Sequence, residues 1–260
     1  MLGSIIGDCV GSIYEFENIK TEDFDLFSPG SSYTDDSILT LATARSILDK
    51  SPYEQNYRIY GRRYACPVGG YGSGFHRWLF ASVQAPYNSC GNGSAMRVSP
   101  VGYAFNDIFT ILNEAQRSAE MTHNHPEGIK GAQATAIAIY MGRNNYTKPE
   151  IKERIEGMFQ YDLNRTCDQI RPFYQFEGTC QGTVPEAIIA FLESTSFEDA
   201  IRKAVSLGGD SDTLACITGG IAQAFYKHIP AVMVEKTMAT MPKELKDVVE
   251  EFNNKYKPAY

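Results

Sequence analysis

An all-α fold is predicted by three observations. Three stretches place a hydroxyl three residues ahead of a carboxylate and just before an apolar run, the spacing of a capping box or its Asp variant: Thr147-Lys-Pro-Glu150, Thr183-Val-Pro-Glu186 and Ser196-Phe-Glu-Asp199. Two long runs, 131–142 and 213–226, are uncharged and rich in small residues, as buried helices are. Alternating β-branched stretches of strand length are nearly absent.

The elements follow in order. Gly3, Gly7 and Gly11 recur every four residues and lay a small-residue stripe along a first helix, where a neighbouring backbone can approach closely. Helices are then expected over 35–49, opened by Thr34-Asp35-Asp36, and over 52–65, 106–120 and 128–143. Four more are expected: 148–160, 184–193 and 197–207, each opened by one of the three spacings, and 213–226, opened by Asp210-Ser-Asp212-Thr213. A last helix is expected over 242–256. Pro149 and Pro185 suit the opening turn of a helix, where no N–H partner is lost. Between them run a long polar loop, 16–34, and two glycine-rich loops, 68–74 (VGGYGSG) and 88–94 (NSCGNGS). A loop as long as the first within a compact domain is usually functional.

Composition bounds the rest. The 260 residues carry no internal repeat and are expected to form one domain, 1–260. Asp and Glu outnumber Lys and Arg by 31 to 24, a formal charge of -7, which argues against a nucleic-acid footprint. Six cysteines without a C-x-x-C pair read as reduced thiols of a cytoplasmic protein. The N-terminus has no basic region and Asp8 interrupts its apolar run, so no signal peptide is expected. The uncharged residues Trp78–Met96 (Arg77 and Arg97 flank them) contain Pro86, Gly91 and Gly93 and make no membrane span.

Three acidic groups hold the chemistry. Asp8 and Glu15 lie two helical turns apart and are expected on one face of the first helix. Thr34-Asp35-Asp36 and Asp210-Ser-Asp212-Thr213 each open a helix, and the second borders fourteen uncharged residues. Carboxylates gathered beside a core repel one another unless a cation neutralises them. An all-oxygen donor set suits Mg²⁺, Mn²⁺ or Ca²⁺. An EF-hand loop starting at Asp210 is excluded, because Ala215 and Ile221 stand where Gly and Glu are required. An isoprenoid-synthase Asp pair is disfavoured, because Leu39 stands where a further acid is needed.

Together these residues resemble a known family. Gly7-Asp8-Cys-Val-Gly11-Ser-Ile-Tyr-Glu15, Thr34-Asp35-Asp36-Ser37 and Gly208-Gly209-Asp210-Ser-Asp212-Thr213 are similar to the three signature motifs of the ADP-ribosylglycohydrolases. Gly91-Asn-Gly-Ser-Ala-Met-Arg97, Thr122-His123 and Val184-Pro-Glu-Ala-Ile188 fit in the same order, so the resemblance spans nearly the whole chain. It implies an all-α helix bundle with two Mg²⁺ or Mn²⁺ ions that hydrolyses the N- or O-glycosidic bond at C1″ of ADP-ribose. Thr34, Asp35 and Asp36 would hold one metal, Asp212 would bridge, and Asp210 and Thr213 would complete the second. Asp8 would support the metal site from behind. Glu15 matches the glutamate that closes the site in the branch acting on serine-linked and polymeric ADP-ribose. Ser37 departs from the commoner Thr.

The chemistry implied divides the catalytic roles between Glu15, as general base or reversible metal ligand, and Asp36, as the alternative base. Backbone N–H groups of Gly70-Tyr71-Gly72 and Ser89-Cys90-Gly91 would donate to the diphosphate. His123 would donate to a phosphate or to the distal ribose. Arg97 reads equally well as half of a structural ion pair, and His76, His125 and His228 as structural residues. The partners implied are an ADP-ribosylated protein or another ADP-ribose conjugate, met by a monomer. A catalytically silent member that binds ADP-ribose or serves structurally is the alternative, and the intact carboxylates argue against it. The linkage cleaved stays open.

Overall fold

Side-chain caps open six of the fifteen helices in the computed structural model, which describes residues 1–83 and 85–260. The first eight helices are α1 (Leu2–Gly11), α2 (Asp35–Asp49), α3 (Tyr53–Arg63), α4 (Ser73–Phe80), α5 (Gly93–Met96), α6 (Ser99–Ala104), α7 (Ile108–Ala119) and α8 (Pro126–Arg143). They are followed by α9 (Lys148–Phe159), α10 (Cys167–Ile170), α11 (Cys180–Glu193), α12 (Phe197–Ser206), α13 (Ser211–Tyr226), α14 (Ala231–Thr240) and α15 (Lys243–Tyr256). Among the described residues the only β pairing is two isolated bridges, Thr34 with Val68 and Gly91 with Thr179. The chain is all-α, and no described helix is long and apolar enough to cross a membrane. All six cysteines are free thiols.

The expected boundaries hold to within two residues except at the start of α11. The capping box at α9 is complete: Thr147 Oγ1 accepts from the Glu150 N–H, and Glu150 accepts the Thr147 N–H at 2.7 Å. Ser196 caps α12 by accepting the Asp199 N–H. The box expected at Thr183-Val-Pro-Glu186 does not form, because α11 already begins at Cys180. Thr183 instead donates to the Glu177 carbonyl at 2.8 Å, and Glu186 makes a two-pronged ion pair with Arg165 at 2.7 and 2.8 Å. Pro185 therefore sits inside the helix. The glycine-rich loops are shorter than expected, since α4 starts at Ser73 and α5 at Gly93.

Helix α13 forms the axis, with α1, α8, α11 and α12 packed around it. Its contact with α1 is a backbone-to-backbone contact. A Cβ added to Gly3 would lie 2.3 Å from the Gly219 carbonyl oxygen, and one on Gly7 would lie 1.9 Å from that of Ala215. One on Gly11 would lie 2.5 Å from the Cα of Asp212. The partners descend along α13 as the glycines ascend along α1, so the helices are antiparallel. The C-terminus of α1 thereby lies against the N-terminus of α13.

Gly7→Ala should lower stability by about 3 kcal/mol or more, the upper range for overpacking, because the clash is with backbone that cannot rotate away. Gly157→Ala, where an added Cβ meets nothing within 4 Å, should be neutral or stabilise by up to about 1 kcal/mol. Urea midpoints of the two variants measure the contrast.

Candidate active site

Asp8, on the last turn of α1, is fully buried and organises the start of α2. It accepts the Thr34 N–H at 3.0 Å, the Thr34 hydroxyl at 2.7 Å and the Ser37 N–H at 3.1 Å. The Ser37 hydroxyl donates to it as well. Thr34 in turn caps α2, accepting the Asp36 N–H at 3.2 Å. One carboxylate thus satisfies four donors and pins the Thr34–Ser37 turn against the end of α1.

That turn faces the opening of α13. The Thr213 hydroxyl donates to Asp36 Oδ2 at 3.3 Å, and Asp212 Oδ1 accepts the Thr213 N–H at 2.9 Å. Carboxylate oxygens of Glu15, Asp210 and Asp212 lie within 4.8 Å of one another. Glu15, Asp35, Asp36, Asp210, Asp212 and Thr213 line one end of a cavity of about 300 Å³. Thr34 and Asp8 stand behind this lining.

Glu15 reaches the cluster from a turn and not from a helix face. Helix α1 ends at Gly11, where the Ser12 hydroxyl takes the Cys9 carbonyl and competes with the helical pattern. Asn18 holds the turn: its amide nitrogen donates to the carbonyls of Tyr14, Glu15 and Gly209, and its amide oxygen accepts the Gly209 N–H at 2.7 Å. Gly69, at φ +77, leaves room for the carboxylate, since a Cβ there would sit 2.8 Å from Glu15 Oε2. Asn18 carries no motif of its own, and only the folded chain sets it beside Gly209.

Burial, and then mutual repulsion, raises these carboxylates. Glu15 is pushed up to about 7 by burial, then by Asp210 and Asp8. Asp8 is raised to about 6 by burial, against its hydrogen bonds from Ser37 and Thr34. Asp35 and Asp36 are raised well above the ordinary range, first by burial and then by Asp8. Asp212 is raised by burial and then by Asp210. The positive ends of α2 and α13 offset part of this. Asp36 Oδ1 is buried and has no hydrogen-bond partner. An all-oxygen cluster with an unpartnered buried oxygen fits a hard divalent cation.

The other end of the cavity carries no carboxylate and is rich in glycine, lined by Gly70, Gly72, Ser73, Gly74, Ser89, Gly91, Gly93 and His123, with Arg97 beside them. Cys90 does not line it; its carbonyl accepts the Cys180 N–H. Three expected backbone donors are already engaged: the Gly70 N–H with Pro67 O, the Ser89 N–H with Thr122 O and the Gly91 N–H with Ser89 Oγ. At the first turn of α4 the N–H groups of Ser73 and Gly74 have no intrahelical acceptor. Arg97 has no carboxylate partner among the described residues, so of its two readings the ion pair does not form: its nitrogen Nη2 donates to Ser118 O and Thr122 Oγ1. His125 caps α8, accepting the Glu127 N–H. Asn92 is a cavity residue that sequence reasoning missed, although it sits inside the Gly91–Arg97 motif. It donates to Asp210 Oδ2 at 2.7 Å and joins the glycine loop to the acidic cluster.

An acidic cluster at the junction of three helix ends thus faces a glycine-lined cavity. The sequence profile of the ADP-ribosylglycohydrolase family matches residues 1–259, and the chain belongs to that family. Among characterised relatives, ADP-ribosylhydrolase ARH3 of Mus musculus is 26% identical over 309 residues, spanning 87% of this chain and 82% of its own. ARH3 of Homo sapiens is 27% identical over 304 residues, spanning 87% and 84%. A solved ADP-ribosylglycohydrolase-related protein complex shares the fold, with a TM-score of 0.73 at 22% identity over 97% of this chain and 96% of that one.

The raised carboxylates give stability a definite pH dependence. Folded Glu15 keeps its proton up to about pH 7, whereas unfolded Glu15 releases it near 4.5, and Asp8 behaves likewise between 3.8 and about 6. Their contribution is full below these unfolded values and lost as pH rises through the folded ones. Chelator-treated protein should therefore melt at lower temperature as pH rises towards 7. A bound divalent cation keeps the carboxylates ionised in the fold and reverses the slope. Melting curves in EDTA and in Mg²⁺ across this range test both signs.

Proposed function

We propose that this chain is a metal-dependent hydrolase that cleaves the N- or O-glycosidic bond at C1″ of ADP-ribose attached to a protein or another acceptor. The observation that carries the reading is the convergence of carboxylates from three distant segments at one end of a cavity whose other end offers neutral donors. Two Mg²⁺ or Mn²⁺ ions would be held by Asp35, Asp36, Asp210, Asp212 and Thr213, with Asp212 shared. Thr34 would add the lone pair that its hydroxyl retains after capping α2. Bound there, the ions would supply positive charge to fix the ribose hydroxyls and acidify a water.

The chain's own residues account for the remainder. Glycosidic cleavage passes through an oxocarbenium-like state and needs a base for the attacking water. Glu15 stands at the cavity with its carboxyl raised to about 7, near the ideal for proton transfer at neutral pH. Asp36, buried and hydrogen-bonded to Thr213, is the alternative base. For the diphosphate, the free donors are the N–H groups of Ser73 and Gly74, beside Gly72, and the Ser89 hydroxyl, which accepts from Gly91 and keeps its proton to give. His123 faces the same end. Gly70 and Gly91 shape the wall and let the ligand approach.

A panel of arginine-linked, serine-linked and O-acetyl ADP-ribose substrates tests the activity, and failure on every linkage with Mg²⁺ or Mn²⁺ present overturns it. EDTA should abolish turnover and either ion should restore it. Glu15→Gln should keep free ADP-ribose affinity within a few fold and lose about 10²-fold or more in single-turnover rate. Asp212→Ala should be worse than Ser37→Ala by orders of magnitude. Ser37→Ala removes one of four donors to Asp8, whereas Asp212→Ala removes a shared ligand.

A further inference from the structure

Arg97 is a wholly buried cation with no carboxylate partner among the described residues. Its guanidinium lies 4.2 Å from the ring centre of Tyr57 and 5.9 Å from that of Phe75, and Nε and Nη1 have no hydrogen-bond partner. A charge buried on these terms is costly to the fold. What its geometry does is aim Nη2 at the Thr122 hydroxyl, 2.8 Å away.

The hydroxyl then decides the state of His123. Thr122 Oγ1 accepts from Arg97 and has one proton to give. The acceptors within reach are His123 Nδ1 at 2.7 Å and the Ala119 carbonyl at 3.4 Å, and the shorter contact takes the proton. With Nδ1 accepting, the imidazole proton resides on Nε2. That nitrogen faces the glycine turn of the cavity: a Cβ on Gly93 would lie 3.1 Å from it and one on Gly91 3.4 Å. Tyr87, with its ring centre 6.0 Å from that of His123, packs beside the imidazole. Burial, and then the nearby Arg97 charge, also pushes the imidazole well below its ordinary range, so it adds no second proton at neutral pH.

We propose that Arg97 and Thr122 are positioning residues that lock His123 as the Nε2–H tautomer, a fixed hydrogen-bond donor to a phosphate oxygen of the ligand in the cavity. The recognition part rests on the ADP-ribose reading above; the tautomer lock does not. An imidazole free to exchange tautomers would present a lone pair to the phosphate for part of the time. The relay removes that state before the ligand arrives.

The test is ¹⁵N NMR of the full chain labelled at histidine, with His123 assigned by the signal lost in His123→Gln. The unsubstituted protein should show a pyrrole-type Nε2 and a pyridine-type Nδ1. Thr122→Val should mix the tautomers and weaken free ADP-ribose binding about five- to tenfold, the scale of one net hydrogen bond. Thr122→Ser should restore both. An Nδ1–H tautomer in the unsubstituted protein, or a Thr122→Val protein that keeps the Nε2–H state, overturns the relay. The expected tautomer behaviour in a protein that binds no ADP-ribose supports the relay and overturns the reading of the cavity.

Discussion

The antiparallel contact between α1 and α13 is the constraint on which the rest of the site depends. Gly3, Gly7 and Gly11 let the two backbones touch, and no side chain intervenes to set the distance. The contact brings the last turn of α1 to the first turn of α13, so Gly11 and Asp212 become neighbours although they are far apart in sequence. Asp8 then captures the start of α2 through four hydrogen bonds. Three helix ends meet at one point because one pair of helices fits without side chains between them.

That meeting point gathers like charges where water is scarce. Asp8, Asp35, Asp36 and Asp212 are all raised, with burial the largest cause in each. Helix N-termini and hydroxyl donors offset part of the repulsion, but Asp36 Oδ1 is left without a partner. A cluster assembled only for stability would pair its charges, as Glu186 does with Arg165 elsewhere in the chain. The protein instead holds unneutralised carboxylates facing a cavity, which is the electrostatic condition for capturing a cation.

The opposite end of the cavity follows the reverse rule. There the buried charge is positive, and it too lacks a counter-ion among the described residues, but Arg97 is shielded by aromatic rings and hydrogen-bonds to Thr122, which contacts His123. Asn92 links the two ends, with one amide nitrogen shared between Asp210 and Thr183. Separating an acidic pole from a donor pole suits a ligand that carries ribose hydroxyls at one end and phosphate oxygens nearby.

Periodicity and capping residues alone determined the all-α class, most helix limits and the acidic motifs, because these are local: a hydroxyl, a proline or a carboxylate acts within one turn of itself. The short helices α4, α5 and α6 and the early start of α11 carry no side-chain cap, and packing against neighbours stabilises them; α10 does carry a capping box, Thr166 with Gln169, that sequence reasoning missed. The glycine stripe was legible as a close-approach surface, but its partner was not. Tertiary structure alone decided that Glu15 leaves the helix and reaches the cluster from a turn latched by Asn18. It also decided that Gly70, Ser89 and Gly91 have their N–H groups engaged. The Asn18 latch and the Ser89 contact depend on Gly209 and Thr122, partners that arrive from elsewhere in the chain; Gly70 and Gly91 bond within their own loops, to Pro67 and Ser89, in turns whose shape the packed fold sets.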